Sequence, residues 1–383
     1  MHNLSRRDLL RAAPAAALPL LAGRLRGDDP PAAPPFPGLT VRMHDPANLE
    51  YPISALKSWI TPTEQFYVRS HFAVPKVDPK TWKLTVEGEV ENKVELTLED
   101  LRAMPAVTRP ATLECAGNNR GFIVPAVAGV QWGPGAVSNA EWTGVPLAAV
   151  LDRAKVKPGA VEVILVGADR GTVTGSPGTI HFDRSLPLAK ARKPEVLLAY
   201  KMNGEDLPAA HGAPVRAVVG GWYGMASVKW LTRAIVTARP HAGFWQTTDY
   251  SYFRRKDGLP EVVPITTMLP KAAIARPALH EVVPAGKPYT VFGAAWAGEA
   301  KVARVEVSTD GGKTWEAATL TGEDKPFCWR IWEYAWKVPA ARGPAEVLAR
   351  ATDADGTTQP EKRDPDRRTY MINHLVPVEV LVK

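Results

Sequence analysis

The sequence predicts an α+β protein: a mixed α/β domain over residues 39–250, followed over residues 251–383 by an all-β immunoglobulin-like sandwich. Two patterns carry that class. In the first stretch, strand-like runs such as Val161-Glu-Val-Ile-Leu-Val166 alternate with short helical patterns such as Leu147-Ala-Ala-Val-Leu-Asp-Arg153. In the second, short strand-like runs follow one another without a helical period, separated by turns such as Asp310-Gly-Gly312 and Asp355-Gly356. The scale agrees: 383 residues, 45% apolar and 23% charged, provide chain for two cores in an ordinary globular protein.

The chain opens on a charged start, Ser5-Arg-Arg-Asp-Leu-Leu10, and then Ala12 to Ala22, rich in Ala and Leu and broken by prolines. That apolar part is too short and interrupted to span a bilayer comfortably, and the paired arginines fit a bacterial twin-arginine export signal. Residues 1–27 are expected to be that signal and the protein to be periplasmic; a disordered basic tail is the other reading. Asp28 to Pro37 is mostly Pro, Ala and Asp with little to bury, so residues 28–38 read as a linker. The signal stretch holds five arginines against one acid, so of the net +7 the body keeps only about +3, too mild to argue for nucleic acid.

Phe66-Tyr-Val-Arg-Ser-His-Phe-Ala-Val74 reads as a strand in which Arg69 and His71 need partners. Trp82 to Gly88 alternates as a strand, and Glu99 to Met104 is a short helix stopped by Pro105. The helix at 147–153 ends before Pro158-Gly159. Val161 to Val166 then leads into Gly167-Ala-Asp-Arg-Gly-Thr172, read as a turn, where Asp169 is either a turn residue or a ligand-binding carboxylate at a strand end. Glu195 to Tyr200 is a strand and Asn203-Gly204 a hairpin turn. His211-Gly-Ala-Pro-Val-Arg216 and Ser227-Val-Lys-Trp-Leu231 place His211, Arg216, Ser227 and Lys229 in Gly-rich apolar sequence. Together they suit an anionic ligand, although each alone reads as a structural residue. Residues 239–265, with Arg254-Arg-Lys256, read as a connecting excursion. Beyond them, Tyr289 to Phe292, Val302 to Ser308, Trp315 to Leu320, Trp329 to Trp336, Ala345 to Ala351 and Val376 to Val382 are the strands of the sandwich.

The stretch with the sharpest chemistry is Thr112-Leu-Glu-Cys-Ala-Gly-Asn-Asn-Arg120. A thiolate is a soft ligand for a transition metal, the small residues let a bulky cofactor approach the backbone, and Arg120 is placed to hold the thiolate or an oxyanion. Taken alone, Cys115 reads as a small buried thiol. Cys115 and Cys328 make no disulfide framework, and neither a second cysteine nor a His pair stands at zinc-ligand spacing near Cys115. With no Cys-x-x-Cys-His present, covalently attached haem is not expected, so any electron partner is another polypeptide.

In order along the chain, these segments resemble the sulfite oxidase family of molybdenum enzymes, over nearly the whole length after the linker. Thr112 to Arg120 is similar to that family's molybdenum-ligand segment, Phe66 to His71 to its first cofactor-contacting strand, and His211 to Arg216 and Ser227 to Trp230 to its pterin-binding segments. The resemblance implies a sulfite-oxidase-type molybdopterin domain at 39–250 and a dimerisation sandwich at 251–383, hence a homodimer. It implies molybdenum held by the dithiolene of one molybdopterin and by the Cys115 thiolate. Tyr67, Val68, Arg69, Ser70, His71, Asp169, His211, Arg216, Ser227, Val228 and Lys229 would hold the pterin and its phosphate. Arg69 and Arg120 would face the metal, and Arg330, in Trp329-Arg-Ile-Trp332, would be lent to the same oxyanion pocket. The implied activity is oxidation of sulfite to sulfate, with electrons passing to an external acceptor such as a cytochrome c.

One departure bears on the substrate. The family carries a tyrosine near the metal, a few residues before a Ser-Ile-Pro-Leu-like segment; here that segment is Ser185-Leu-Pro-Leu188 and the matching position is Phe182, which has no hydroxyl to donate. Tyr223, from another loop, is the candidate replacement. Two alternatives follow: oxidation of another sulfur compound, such as a protein-bound sulfane, by the same cofactor, and a non-enzymatic two-domain binding protein with Cys115 inert. Sulfoxide reduction fits less well, because the family's single-domain reductases lack a second domain.

Overall fold

Among the described residues, strands far outnumber helices, in keeping with the β-branched and aromatic runs of the sequence. The computed structural model describes residues 36–383; the expected export signal at 1–27 and most of the linker lie outside the described residues. The α+β expectation holds only coarsely, because the protein is mostly β and the longest α-helix among the described residues is Leu147–Ala154. That helix buries Leu147, Val150, Leu151 and Ala154, an i, i+3, i+4, i+7 stripe, so packing holds a segment too short to be stable alone. Helix Leu98–Ala103 is fixed at its start by a capping box, in which Thr97 Oγ1 accepts from Asp100 N at 3.1 Å and the Asp100 carboxylate accepts from Thr97 N at 2.8 Å.

Two five-stranded sheets organise the first part. One has the order Val94–Thr97, Lys83–Gly88, Leu231–Thr237, Glu162–Gly171, Ile180–Pro187, with a parallel pairing of Lys83–Gly88 to Leu231–Thr237. The other has the order Glu205–Asp206, Val196–Met202, Val137–Pro146, Val107–Glu114, with Arg216–Val219 also paired to Val196–Met202. Asn203 and Gly204 form the expected tight turn, both at positive φ (50° and 86°).

Three local expectations are corrected. Phe66 to Val74 is not a ladder strand: its backbone makes one bridge, Val68 to Leu49, and otherwise runs unpaired. Gly167 to Thr172 is not a simple turn, because strand Glu162–Gly171 runs through it with a register shift between Val166 and Arg170. Such an irregularity re-aims a side chain, here Asp169. Residues 239–265 hold a π-helical turn, Phe244–Asp249, and a hairpin, Ser251–Lys256 with Leu259–Pro264.

The second part has a four-stranded sheet (Lys271–Arg276, Pro288–Trp296, Arg330–Lys337, Thr319–Thr321) and a five-stranded one (Val282–Val283, Val378–Val382, Gly343–Asp353, Val302–Ser308, Glu316–Ala317), each in that order. Val291, Val305, Trp332, Trp336, Val347 and Val380 fill a core they share. A Cβ on Gly293 would lie 2.0 Å from Ala273 O and 2.6 Å from Trp332 Cζ2, so only glycine permits this close approach. The other face of this part joins the larger core through Trp296, Trp329, Ile331 and Met371. Trp59 and Trp329 tie the parts reciprocally, each indole N–H donating to the other's backbone carbonyl at 3.0 and 2.8 Å.

Candidate functional site

Strand Val107–Glu114 delivers Cys115 into a cleft. Cys115 N donates to Ala136 O at 2.8 Å, and the chain then turns sharply, with Asn118 N donating to Cys115 O at 2.8 Å and Arg120 N to Gly117 O at 2.9 Å. A Cβ on Gly117 would sit 2.6 Å from Arg120 Nη2, so the bare glycine lets the guanidinium fold over the turn. Arg120 is buried: Nε donates to Thr369 O at 3.0 Å, Nη1 to Val130 O at 3.1 Å, and the group lies 4.9 Å over the Tyr370 ring. It therefore stands behind the cysteine and does not line the cleft. Burial pushes the Cys115 thiol up from its ordinary value, and the Arg69 and Arg120 guanidiniums oppose that push.

Tyr67, Val68, Arg69, Ser70 and His71 line one side of the cleft, and Asp169, His211, Arg216, Ser227 and Lys229 line it from other elements. The unpaired backbone of 66–74 is what allows successive side chains there to face the ligand space, where a ladder strand would hide every second one. Asn48 braces this segment, its Oδ1 accepting from Arg69 Nη1 at 3.1 Å and Ser70 N at 3.2 Å. Arg216 Nη1 and Nη2 donate to His211 O and Ser227 O, both at 3.0 Å, and Lys229 Nζ donates to Ser70 Oγ at 3.1 Å and Ala210 O at 2.9 Å. His211 Nε2 lies 3.3 Å from Thr63 O.

The electrostatics are those of a site short of negative charge. Burial lowers Arg216 to about 10 and, helped by Lys229 and Arg216, lowers His211 to about 3. Burial and the nearby Arg216 hold Lys229 well below its usual range. Burial pushes the Asp169 carboxyl up to about 6, Lys229 pulling the other way, and Asp169 Oδ1 is buried with no hydrogen-bond partner.

Some predicted residues stand elsewhere. Val228 is 1% exposed in the core, and its carbonyl accepts from Ala217 N at 2.8 Å. Arg330 does not line the cleft; its Nη1 pairs with Asp324 at 3.1 Å. The later segment that reaches the cysteine is 369–371, where Thr369 O and Tyr370 receive Arg120 and Met371 N donates to Ala116 O at 2.7 Å. Tyr223 is buried away from the cleft. Beside Tyr67, a second tyrosine hydroxyl in the cleft belongs to Tyr250, which lies in the aperiodic stretch 239–265 and so carries no signal in the sequence. Tyr250 lines the cleft with Phe182, and its Oη meets His71 Nε2 at 2.7 Å.

Comparisons with known proteins agree with this architecture. Residues 71–245 match the family model of the oxidoreductase molybdopterin binding domain, and residues 263–381 that of the Mo-co oxidoreductase dimerisation domain. The chain is 37% identical to mitochondrial sulfite oxidase of Mus musculus over 381 residues, covering 93% of this chain and 69% of that protein. It is 37% identical to sulfite oxidase of Gallus gallus over 374 residues, covering 90% and 80%. Among solved structures, the sulfane dehydrogenase SoxCD of Paracoccus pantotrophus superposes with a TM-score of 0.75 at 30% identity, over 86% of this chain and 83% of that one.

The residues fit a molybdenum cofactor. Among the described residues no three His, Cys, Asp or Glu side chains converge as a metal site, and Cys115 brings to the cleft a soft thiol of the kind that can ligate a transition metal alongside a bound organic group. The cations Arg69, Arg216 and Lys229 outnumber the one carboxylate, Asp169, which suits an anionic phosphate, and the unpartnered Asp169 Oδ1 awaits a donor such as a pterin N–H. The chain belongs to the sulfite oxidase family of molybdenum-dependent oxidoreductases.

Proposed function

We propose that this protein oxidises sulfite to sulfate and passes the electrons to an external acceptor such as a cytochrome c. The observation that carries this reading is a cysteine set in a cleft whose lining has more cationic than anionic side chains. When bound, the molybdenum cofactor supplies oxygen-atom transfer to sulfur and accepts two electrons. Cys115 would ligate the metal, Arg216, Lys229 and Ser227 would hold the phosphate, and Asp169 would accept a hydrogen bond from the pterin. Arg69, half-buried and steadied by Asn48, draws the sulfite dianion in and holds its oxygens. Water supplies the fourth oxygen of sulfate, and two protons and two electrons leave. Steady-state assay of molybdenum-loaded protein with sulfite and ferricyanide or cytochrome c tests the reading, and absence of turnover removes it. Purified protein lacking both molybdenum and extractable pterin would instead favour a non-enzymatic binding protein.

Phe182 and the likeness to a sulfane dehydrogenase support a second reading, oxidation of a protein-bound sulfane. The ratio of kcat/KM for sulfite to that for a persulfide-loaded carrier separates the two.

The molecular setting follows the same reasoning. Residues 39–250 form the cofactor domain and residues 251–383 an immunoglobulin-like dimerisation domain, a division supported by the family matches at 71–245 and 263–381. The protein is a homodimer, checked by light scattering. The paired arginines at 6 and 7 support twin-arginine export to the periplasm, checked by cell fractionation.

A further inference from the structure

We propose that Tyr250 is the hydroxyl donor that meets the substrate oxyanion in this cleft, with His71 holding it in donor orientation. The inference rests on the cleft being a sulfur-oxyanion site and narrows the substrate to one that presents oxygens. Tyr250 closes the π-helical turn Phe244–Asp249, is 2% exposed, and faces the same space as Cys115 and Arg69. Its hydroxyl oxygen lies 2.7 Å from His71 Nε2.

The direction of that hydrogen bond follows from the surroundings. Burial, with Arg69 and Lys229 close by, holds His71 well below its usual range, so the ring is neutral and carries one proton. With the proton on Nε2, His71 donates to Tyr250 Oη and the phenolic hydrogen is free to point into the cleft. With the proton on Nδ1, the phenol donates to His71 and offers the cleft nothing. An oxyanion drawn in by Arg69 selects the first arrangement, because only that one adds a donor to it.

The imidazole is clamped for this task. Phe182 stacks on it at 4.5 Å and 16°, and Trp245 packs at 4.5 Å and 58°. Phe182 thus stiffens the histidine, while the hydroxyl arrives from a neighbouring element. Behind Tyr250, Tyr370 lies at 4.9 Å with its own hydroxyl donating to Asp249 Oδ1 at 3.0 Å, so Tyr370 is engaged elsewhere. A terminal sulfane sulfur is a weak acceptor for a phenol, whereas sulfite and sulfate oxygens are strong ones.

The test is titration calorimetry of sulfate into the oxidised, molybdenum-loaded enzyme. Tyr250→Phe should weaken sulfate binding by about tenfold to a hundredfold and raise the sulfite KM by a similar factor, with kcat falling less. An unchanged sulfate dissociation constant in that variant, or no sulfate binding to the wild type, overturns the proposal. Removing the hydroxyl also risks loosening the aromatic cluster, so a second variant carries 3-fluorotyrosine at position 250, a stronger donor of the same shape. It should bind sulfate more tightly, and unchanged or weaker binding overturns the assignment. If sulfite is not turned over while Tyr250→Phe still weakens sulfate binding, the proposed reaction falls and the hydroxyl assignment stands.

Discussion

Two clusters of charge flank the Cys115 turn, one closed and one open. On one side Glu114 and Lys271, each 2% exposed, pair at 2.9 Å, and Glu114 also accepts from Asn118 Nδ2 at 3.1 Å and Trp296 Nε1 at 2.8 Å. Both carboxylate oxygens have donors from this chain. On the other side Arg69, Arg216 and Lys229 face one carboxylate, Asp169, whose Oδ1 has no partner. A closed buried pair adds little net stability but is costly to break, so it fixes one arrangement of the turn that carries Cys115. An open cluster leaves charge for a ligand to complete. Structure-keeping charge at Glu114 and Lys271 is thus distinct from the ligand-holding charge that lines the cleft.

Substitutions on each side sharpen that contrast. The largest effect is expected at the turn itself: Cys115→Ser should reduce sulfite oxidation to background while pterin fluorescence in the denatured protein stays near the wild-type amount. Retained turnover would show that the metal ligand is misassigned. Next, Lys271→Met leaves Glu114 buried without its cation and should destabilise by about 3–5 kcal/mol in thermal unfolding. Adding Glu114→Gln, which keeps an acceptor for Trp296, should recover most of that loss.

The open side should respond differently. The Asp169 carboxyl titrates near 6 in the folded chain against an ordinary 3.8, so between those values the folded state binds a proton that the unfolded state releases. Stability of the cofactor-free protein should therefore fall as pH rises through that window, by at most about 3 kcal/mol. Asp169→Asn should flatten this part of the pH–stability curve, and an unaltered curve would contradict the burial argument. Finally, Lys229→Met should weaken pterin retention by about tenfold to a hundredfold, read as pterin content after dialysis. The same change should leave the cofactor-free melting temperature equal or higher, because a buried cation crowded by Arg216 is gone from the cleft.

Much of the site was legible because its residues are the wrong type for their surroundings. His211, Arg216, Ser227 and Lys229 stand in apolar, Gly-rich sequence that has no structural use for so much polarity, and the cleft collects all four. Arg330 shows the limit of resemblance: a matching segment, Trp329-Arg-Ile-Trp332, implies a role in the oxyanion pocket, but not that the side chain will pair with Asp324 outside the cleft. Tyr250 shows the complementary failure, since an aromatic in an aperiodic stretch carries no local mark of the histidine it will meet 179 residues away.

The sequence by itself determined the elements whose causes are local. The Thr97–Asp100 capping box, the Asn203-Gly204 turn, the buried stripe of Leu147–Ala154 and the alternating strands after Tyr289 all follow from residues within a turn or two of each other. It also supplied the thiol and the cations. Only the tertiary structure decided which of them meet: that the register shift after Val166 aims Asp169 into the cleft, that Met371 rather than Arg330 docks on the cysteine turn, and that Glu114 finds Lys271. The physical reason is range. Helix caps and pleats are set by bonded neighbours, whereas a contact between residues 116 and 371 exists only once both sheets have closed on a common core, and no local pattern encodes that closure.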